Sequence, residues 1–173
     1  SFSPGLNTSY TGPGYAIITL DKGYNQYVAY PDPGQQVLGG FKPTVKKLVN
    51  GQWQTVGQPG IGIHAASIYG LEVDSFGKPY LVFNTVYDQK PHIFTFDGSA
   101  WVSIDPPIFS TSNVSTPALT LDSQGTPYIA FVSGGNVSVL KYINNTWVPV
   151  GGNSTIASGA NGLLMTLKKD GFP

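Results

Sequence analysis

Trp53, Trp101 and Trp147 stand 48 and 46 positions apart. Each follows an apolar or aromatic residue by five positions (Leu48, Phe96, Tyr142) and precedes Val56, Ile104 or Val150 by three. A second phrase recurs upstream: LDKGYNQYVAY from Leu20, VDSFGKPYLVF from Val73 and LDSQGTPYIAF from Leu121. The aspartate-to-tyrosine spacing is six in all three, at Asp21/Tyr27, Asp74/Tyr80 and Asp122/Tyr128. A fixed period of this kind means that one supersecondary unit is used at least three times.

The unit reads as four short antiparallel strands. In the third copy, alternation and turn residues predict strands over 115–121, 127–132, 137–143 and 146–150. The second copy repeats the plan over 67–73, 80–85, 91–96 and 101–104, with Asp97-Gly98 as a hairpin signal. The first copy spreads it out. PDPGQQVLGGFKP (31–43) reads as a long loop before a strand at 44–49, and Asn50-Gly51 supplies a further hairpin turn. A sheet with two apolar faces cannot bury both alone, so neighbouring units must stack. The tryptophans suit the filling between units, and each indole N–H then needs one acceptor. The Asp-x-x-Gly turns suit a carboxylate that accepts backbone N–H groups beside a glycine at positive φ.

The expected fold class is therefore all-β: a partial β-propeller of about three four-stranded blades plus the first strand of a fourth. Blade-like units fall at about 15–57, 65–105 and 115–151 within a single 1–173 domain. Residues 163–173 read as the start of a further blade, with Lys168 and Gly171 at the positions of Asp122 and Gly125. The expectation is a piece of a longer polypeptide, or several copies that complete one another.

LDSQGTPYIAF…VLKYINNTWVPVG and VDSFGKPYLVF…FTFDGSAWVSI resemble the blades of secreted and cell-surface β-propellers, some of them lectin-like and others adhesive. The resemblance runs over nearly the whole chain and implies fold more than function. It implies an extracellular structural or adhesive segment that mediates protein assembly or surface interaction, with a carbohydrate-binding module as the alternative. The partners it implies are the remaining blades or further copies completing the ring, and other extracellular proteins or glycans.

Composition narrows the chemistry. Nine lysines balance nine acidic residues, and there is no arginine. No net charge steers nucleic acid, and no guanidinium offers a bidentate grip on phosphate or carboxylate. Cysteine is absent, which removes thiolate catalysis, disulfides and cysteine-ligated metal. No apolar run reaches the length of a membrane span. N-x-S/T sequons at Asn7, Asn113, Asn136, Asn144 and Asn153 point to a secreted or cell-surface glycoprotein.

No catalytic residue, cofactor or metal is expected, and the chain reads as a non-enzyme. Trp53, Trp101 and Trp147 with the polar turn residues Asn50, Asp97 and Asn144 are candidate sugar contacts, although packing between units is the stronger reading for the indoles. Pro31, Asp32, Gln35, Gln36 and Phe41 belong to the segment that breaks the repeat, where a scaffolded loop would carry interaction. Asp74 and Asp122 are turn caps before they are calcium ligands, because no turn brings the six to eight oxygens that calcium takes. His64 and His92 carry no metal motif. Glu72 and Asp74 share one face of a strand about 6.5–7 Å apart. They are the only local acid pair for glycoside hydrolysis, and a charged outer face explains them as well.

Overall fold

The computed structural model describes residues 15–88, 90–111, 114–152, 155–159 and 165. Thirteen strands, one short α-helix and one 3-10 turn (Val150–Gly152) are present among them. β1 (Ile17–Leu20), β2 (Gln26–Val37), β3 (Gly40–Val49) and β4 (Gln52–Thr55) form the first sheet. β5 (Ala66–Val73), β6 (Pro79–Thr85), β7 (Pro91–Phe96) and β8 (Trp101–Ser103) form the second. After α1 (Ile108–Thr111), β9 (Val114–Leu121), β10 (Pro127–Ser133), β11 (Asn136–Ile143) and β12 (Thr146–Pro149) form the third, with β13 (Ala157–Ser158) added on β11. Each sheet is an antiparallel meander. Among the described residues no helix is long and apolar enough to cross a membrane.

The five-residue spacing before each tryptophan is a cross-strand pair. Leu48 lies opposite Trp53, Phe96 opposite Trp101 and Tyr142 opposite Trp147. The hairpins that join them turn through left-handed backbone at Asn50 and Gly51 (φ 50° and 76°) and at Asn144 and Asn145 (50° and 59°). Two-residue turns of this hand match the twist of the strands they connect.

Packing between sheets follows chain order. β1 lies against β5, and β5 against β9. Tyr27, Ala29 and Val45 of the first sheet meet Ile68, Leu71, Leu81 and Phe83 of the second in one core. Tyr80, Val82 and Ile93 on the opposite face of the second sheet meet Leu119, Ile129 and Phe131 of the third in another. The second sheet is therefore buried on both faces, which explains the near-continuous burial of β6.

The seams repeat their polar fastenings. Trp101 Nε1 donates to Val56 O at 2.8 Å, and Trp147 Nε1 donates to Ile104 O. Each such bond contributes about 1 kcal/mol beyond the buried indole area. Gly57 (φ 68°) lets the chain pass the first indole, since a Cβ there would lie 2.6 Å from Phe96 Cε2 and 3.2 Å from Trp101 Cδ1. At the opposite end, Asp21, Asp74 and Asp122 each accept two backbone N–H groups of their own turns. Tyr27 O–H reaches Gly77 O of the next sheet at 3.4 Å.

Two expectations are corrected. The partial β-propeller, and with it the resemblance to secreted and cell-surface propellers, does not hold. The three sheets are discrete, and among the described residues none closes or curls into a ring. The adhesive and lectin-like functions implied by that resemblance lose their structural basis with it. The physical reason is that among the described residues each sheet pairs only within itself and meets its neighbour by face packing. Alternation specifies that packing without specifying closure. The segment at 31–43 is also not a loop. β2 and β3 continue through it as a hairpin arm, with a register shift between Pro31 and Gln36. Where the ladder lapses, Asp32 takes over by accepting from Gly34 N at 2.9 Å and Thr44 Oγ1 at 2.7 Å. The start of a fourth unit at 163–173, including Lys168 and Gly171, lies outside the described residues apart from Met165.

Candidate functional site

Aligned on their tryptophans, the three units differ most in the second. Nine residues before the tryptophan stand Thr44, His92 and Ser138, and four residues after it stand Gly57, Asp105 and Gly151. In the first and third sheets the upstream position is a buried hydroxyl. In the second it is an imidazole whose partner, Asp105, replaces a glycine.

The fold brings this pair together at the end of the second sheet. His92 is the second residue of β7 and lies opposite Phe83 of β6. β8 stops at Ser103, and Asp105 then turns inward. Its Oδ1 accepts the Ile93 backbone N–H at 2.5 Å, in place of a ladder bond, and its Oδ2 lies 2.8 Å from His92 Nδ1. The β6–β7 turn adds Asp88, whose Oδ2 lies 3.4 Å from His92 Nε2. Asp88 is itself fixed by Thr85 Oγ1 and by Lys90 N at 3.0 Å.

An ionised carboxylate offers only lone pairs, so both imidazole nitrogens are held as N–H groups. The Asp105 hydrogen bond raises the imidazole above the usual histidine range. Burial opposes this, and the charges of Asp105 and Asp88 add to the rise. Burial alone would raise the Asp88 carboxyl. The hydrogen bonds from Thr85 and Lys90 and the charge of His92 outweigh it and leave the group below its ordinary value.

A cleft of about 490 Å³ opens on one side of this cluster. Phe83 and Phe94, 5.5 Å apart and near-parallel, form its floor. His64 stacked on Tyr87 at 4.4 Å forms one wall, with Ile63 beside it. Gly62 (φ 75°) permits that wall, since a Cβ there would lie 3.2 Å from Phe83 Cζ. The hairpin arm buttresses the same loop: Thr44 Oγ1 accepts from Gly60 N at 3.0 Å, and Gln35 and Lys42 close over Gly60. A second depression of about 310 Å³ on the far side of the cluster is lined by Lys90, Pro106, Pro107 and Phe109.

The residues singled out from the sequence fall elsewhere, with two exceptions. Trp101 and Trp147 are partly buried and spend their N–H groups in the seams. Trp53 is partly buried opposite Leu48, and Asn50 and Asn144 are exposed turn residues. Asp97 Oδ1 accepts from Ser99 N and Ala100 N, so it caps its own hairpin. Of the arm residues, Pro31 pairs with Pro43 and Gln36 with Phe41, while Asp32 and Gln35 brace the arm and loop. Asn136 is exposed at the start of β11; Asn7, Asn113 and Asn153 lie outside the described residues. Asp74 is committed to its turn. Glu72 lies opposite Tyr80 on the face toward the third sheet, where burial raises its carboxyl to about 7.

The exceptions are His64 and His92, distant in sequence and brought to one cleft. His64 stacks on Tyr87, and His92 is held between carboxylates. Among the described residues no group of three or more His, Cys, Asp or Glu side chains is arranged to hold a metal ion. Sequence reasoning missed Asp88, Asp105, Tyr87, Phe83 and Phe94. The signal for Asp105 was there: an acid where the sister units carry glycine.

No protein-family model matches this chain, and no curated protein matches it. The functional reading therefore rests on the geometry.

Proposed function

We propose that this protein is an extracellular small-molecule binding module whose site is the cleft between the His64–Tyr87 wall and the Asp88–His92–Asp105 cluster. The observation that carries the reading is the cluster itself, an ionisable constellation set in an aromatic cleft where the sister sheets place a hydroxyl and a glycine. The cleft volume suits it, since small-molecule sites run to roughly 300–1,000 Å³ and combine apolar walls with a few converging polar groups. Binding is favoured over catalysis because a general base needs a free lone pair, and both His92 nitrogens face carboxylates. The extracellular location is supported by the sequons at Asn136 and Asn144, both exposed.

Ligand-observed NMR with aromatic fragments tests the site. Hits are expected to vanish in Tyr87→Ala and to persist in Trp53→Phe. Hits that survive Tyr87→Ala unchanged would remove the cleft from consideration. Expression through a secretory route tests the location: a mass loss on deglycosylation is expected, and an unchanged mass overturns it.

A further inference from the structure

We infer that the ligand of this cleft is an organic cation, an ammonium group carried on an aromatic or aliphatic body. The inference rests on the binding reading and adds the charge of the occupant.

The charge balance is local. Asp88 and Asp105 enter the cleft lining with His92 between them and His64 on the facing wall, and among the described residues no lysine lines it. The chain has no arginine to supply a guanidinium. Lys90 lines the other depression, across the cluster. His64 aside, the two carboxylates leave one net negative charge with His92 protonated and two with His92 neutral. A carboxylate or phosphate ligand would meet both acids and lose its hydration, while the His92 nitrogens already face those acids.

An ammonium finds complementary surfaces. Phe83, Phe94 and Tyr87 line the cleft, and aromatic faces attract cations, most strongly where water is excluded. Asp88 has unspent capacity. Its Oδ1 takes the Thr85 and Lys90 donors, while among the described residues Oδ2 has only the longer 3.4 Å approach of His92 Nε2. An ionised carboxylate offers about four lone-pair sites, so Oδ2 can accept a further cationic donor or face a quaternary head. Ile63 and the stacked His64–Tyr87 rings would cover the ligand body.

A sign follows for pH. The ionisable groups that face His92 are Asp88 and Lys90 from the β6–β7 turn and Asp105 beyond β8, with His64 and Tyr87 on the cleft wall. As pH rises and His92 loses its proton, the cleft becomes more negative. A ligand of fixed positive charge must then bind more tightly.

Titration calorimetry on the full chain with benzyltrimethylammonium, benzyl alcohol and benzoate separates the cases. The ammonium is expected to bind about tenfold or more tightly than benzoate and to tighten between pH 5.5 and pH 8. Asp88→Asn, on an exposed-side turn, should weaken the ammonium about fivefold or more relative to benzyl alcohol. His92→Gln should reduce the pH dependence, with circular dichroism checking that it folds. Equal or tighter binding of benzyl alcohol or benzoate overturns the cation while the cleft stands. Failure of all three probes to bind overturns the cleft as well.

Discussion

The middle sheet and its two neighbours share a backbone plan and differ in their ionisable groups. Two residues before the turn aspartate stand Thr19, Glu72 and Thr120. At the His92 position stand Thr44 and Ser138, and at the Asp105 position Gly57 and Gly151. The flanking sheets thus fill all three positions with small residues. The middle sheet fills them with an acid whose carboxyl is pushed up to about 7, a histidine raised above its ordinary range, and the acid that raises it. Features common to the units build and join sheets; those peculiar to the middle unit carry charge into partly buried positions. Burying charge lowers stability unless it is paired, so the comparison separates framework from site.

The largest effect expected is on the shared framework. Trp101→Ala removes a packed indole and its bond to Val56 O, and should lower unfolding free energy by about 3–5 kcal/mol in urea titrations. Trp101→Phe keeps most of the apolar area and loses the N–H, so about 1–2 kcal/mol is expected. A loss under about 1 kcal/mol for the alanine variant would break the assignment of the tryptophans to the seams.

Glu72 is expected to act in the opposite direction. Burial favours its protonated form, so its folded value lies above its unfolded one. Stability is then fully present below the unfolded value and is lost as pH rises through about 7. Glu72→Gln should stabilise the protein by about 1–3 kcal/mol at pH 8 and change little at pH 4. Thermal melts of both proteins across that range check it. Equal gains at both pH values would mean that burial of the charge is not what distinguishes the position from Thr19 and Thr120.

His92 adds a shallower dependence of the same sign. Its folded value is raised, chiefly by Asp105. That contribution is full below the unfolded histidine value and lost as pH rises through the folded one. Chemical denaturation of the Glu72→Gln background, with and without His92→Gln, isolates it. The single variant should retain a decline above neutrality, and the double variant should be flat there.

What could be read from the chain follows the same division. The strands, the Asp turns and the Trp101 and Trp147 joints were legible because each appears more than once at fixed spacing. Closure was not, because an alternating strand stacked in an open row has the same pattern as one stacked in a ring. The arm at 31–43 looked like a loop because prolines and glycines interrupt the strand signal. It is held instead by side chains, with Asp32 and Thr44 standing in for missing ladder bonds. The cleft was hardest, since its lining is scattered from Gly62 to Asp105 and nothing in it repeats. His92 carries no motif in the sequence, and its partner stands 13 residues away at a position that is glycine elsewhere.

The smallest expected effect tests a flaw in the framework itself. The fourth turn residue is Gly77 in the second unit and Gly125 in the third, at φ 79° and 85°. In the first it is Tyr24 at φ 60°, 79% exposed. A side chain in left-handed backbone costs roughly 1–2 kcal/mol, and this ring recovers little of it by burial. Tyr24→Gly relieves the strain but frees the unfolded chain, which takes back roughly 0.5–1 kcal/mol. A net gain of about 0.5–1 kcal/mol is expected from denaturant titration. Tyr24→Ala, which keeps the Cβ, should gain nothing. If alanine stabilises as much as glycine, the liability is the exposed ring and not the backbone, and the first turn is as sound as its sisters.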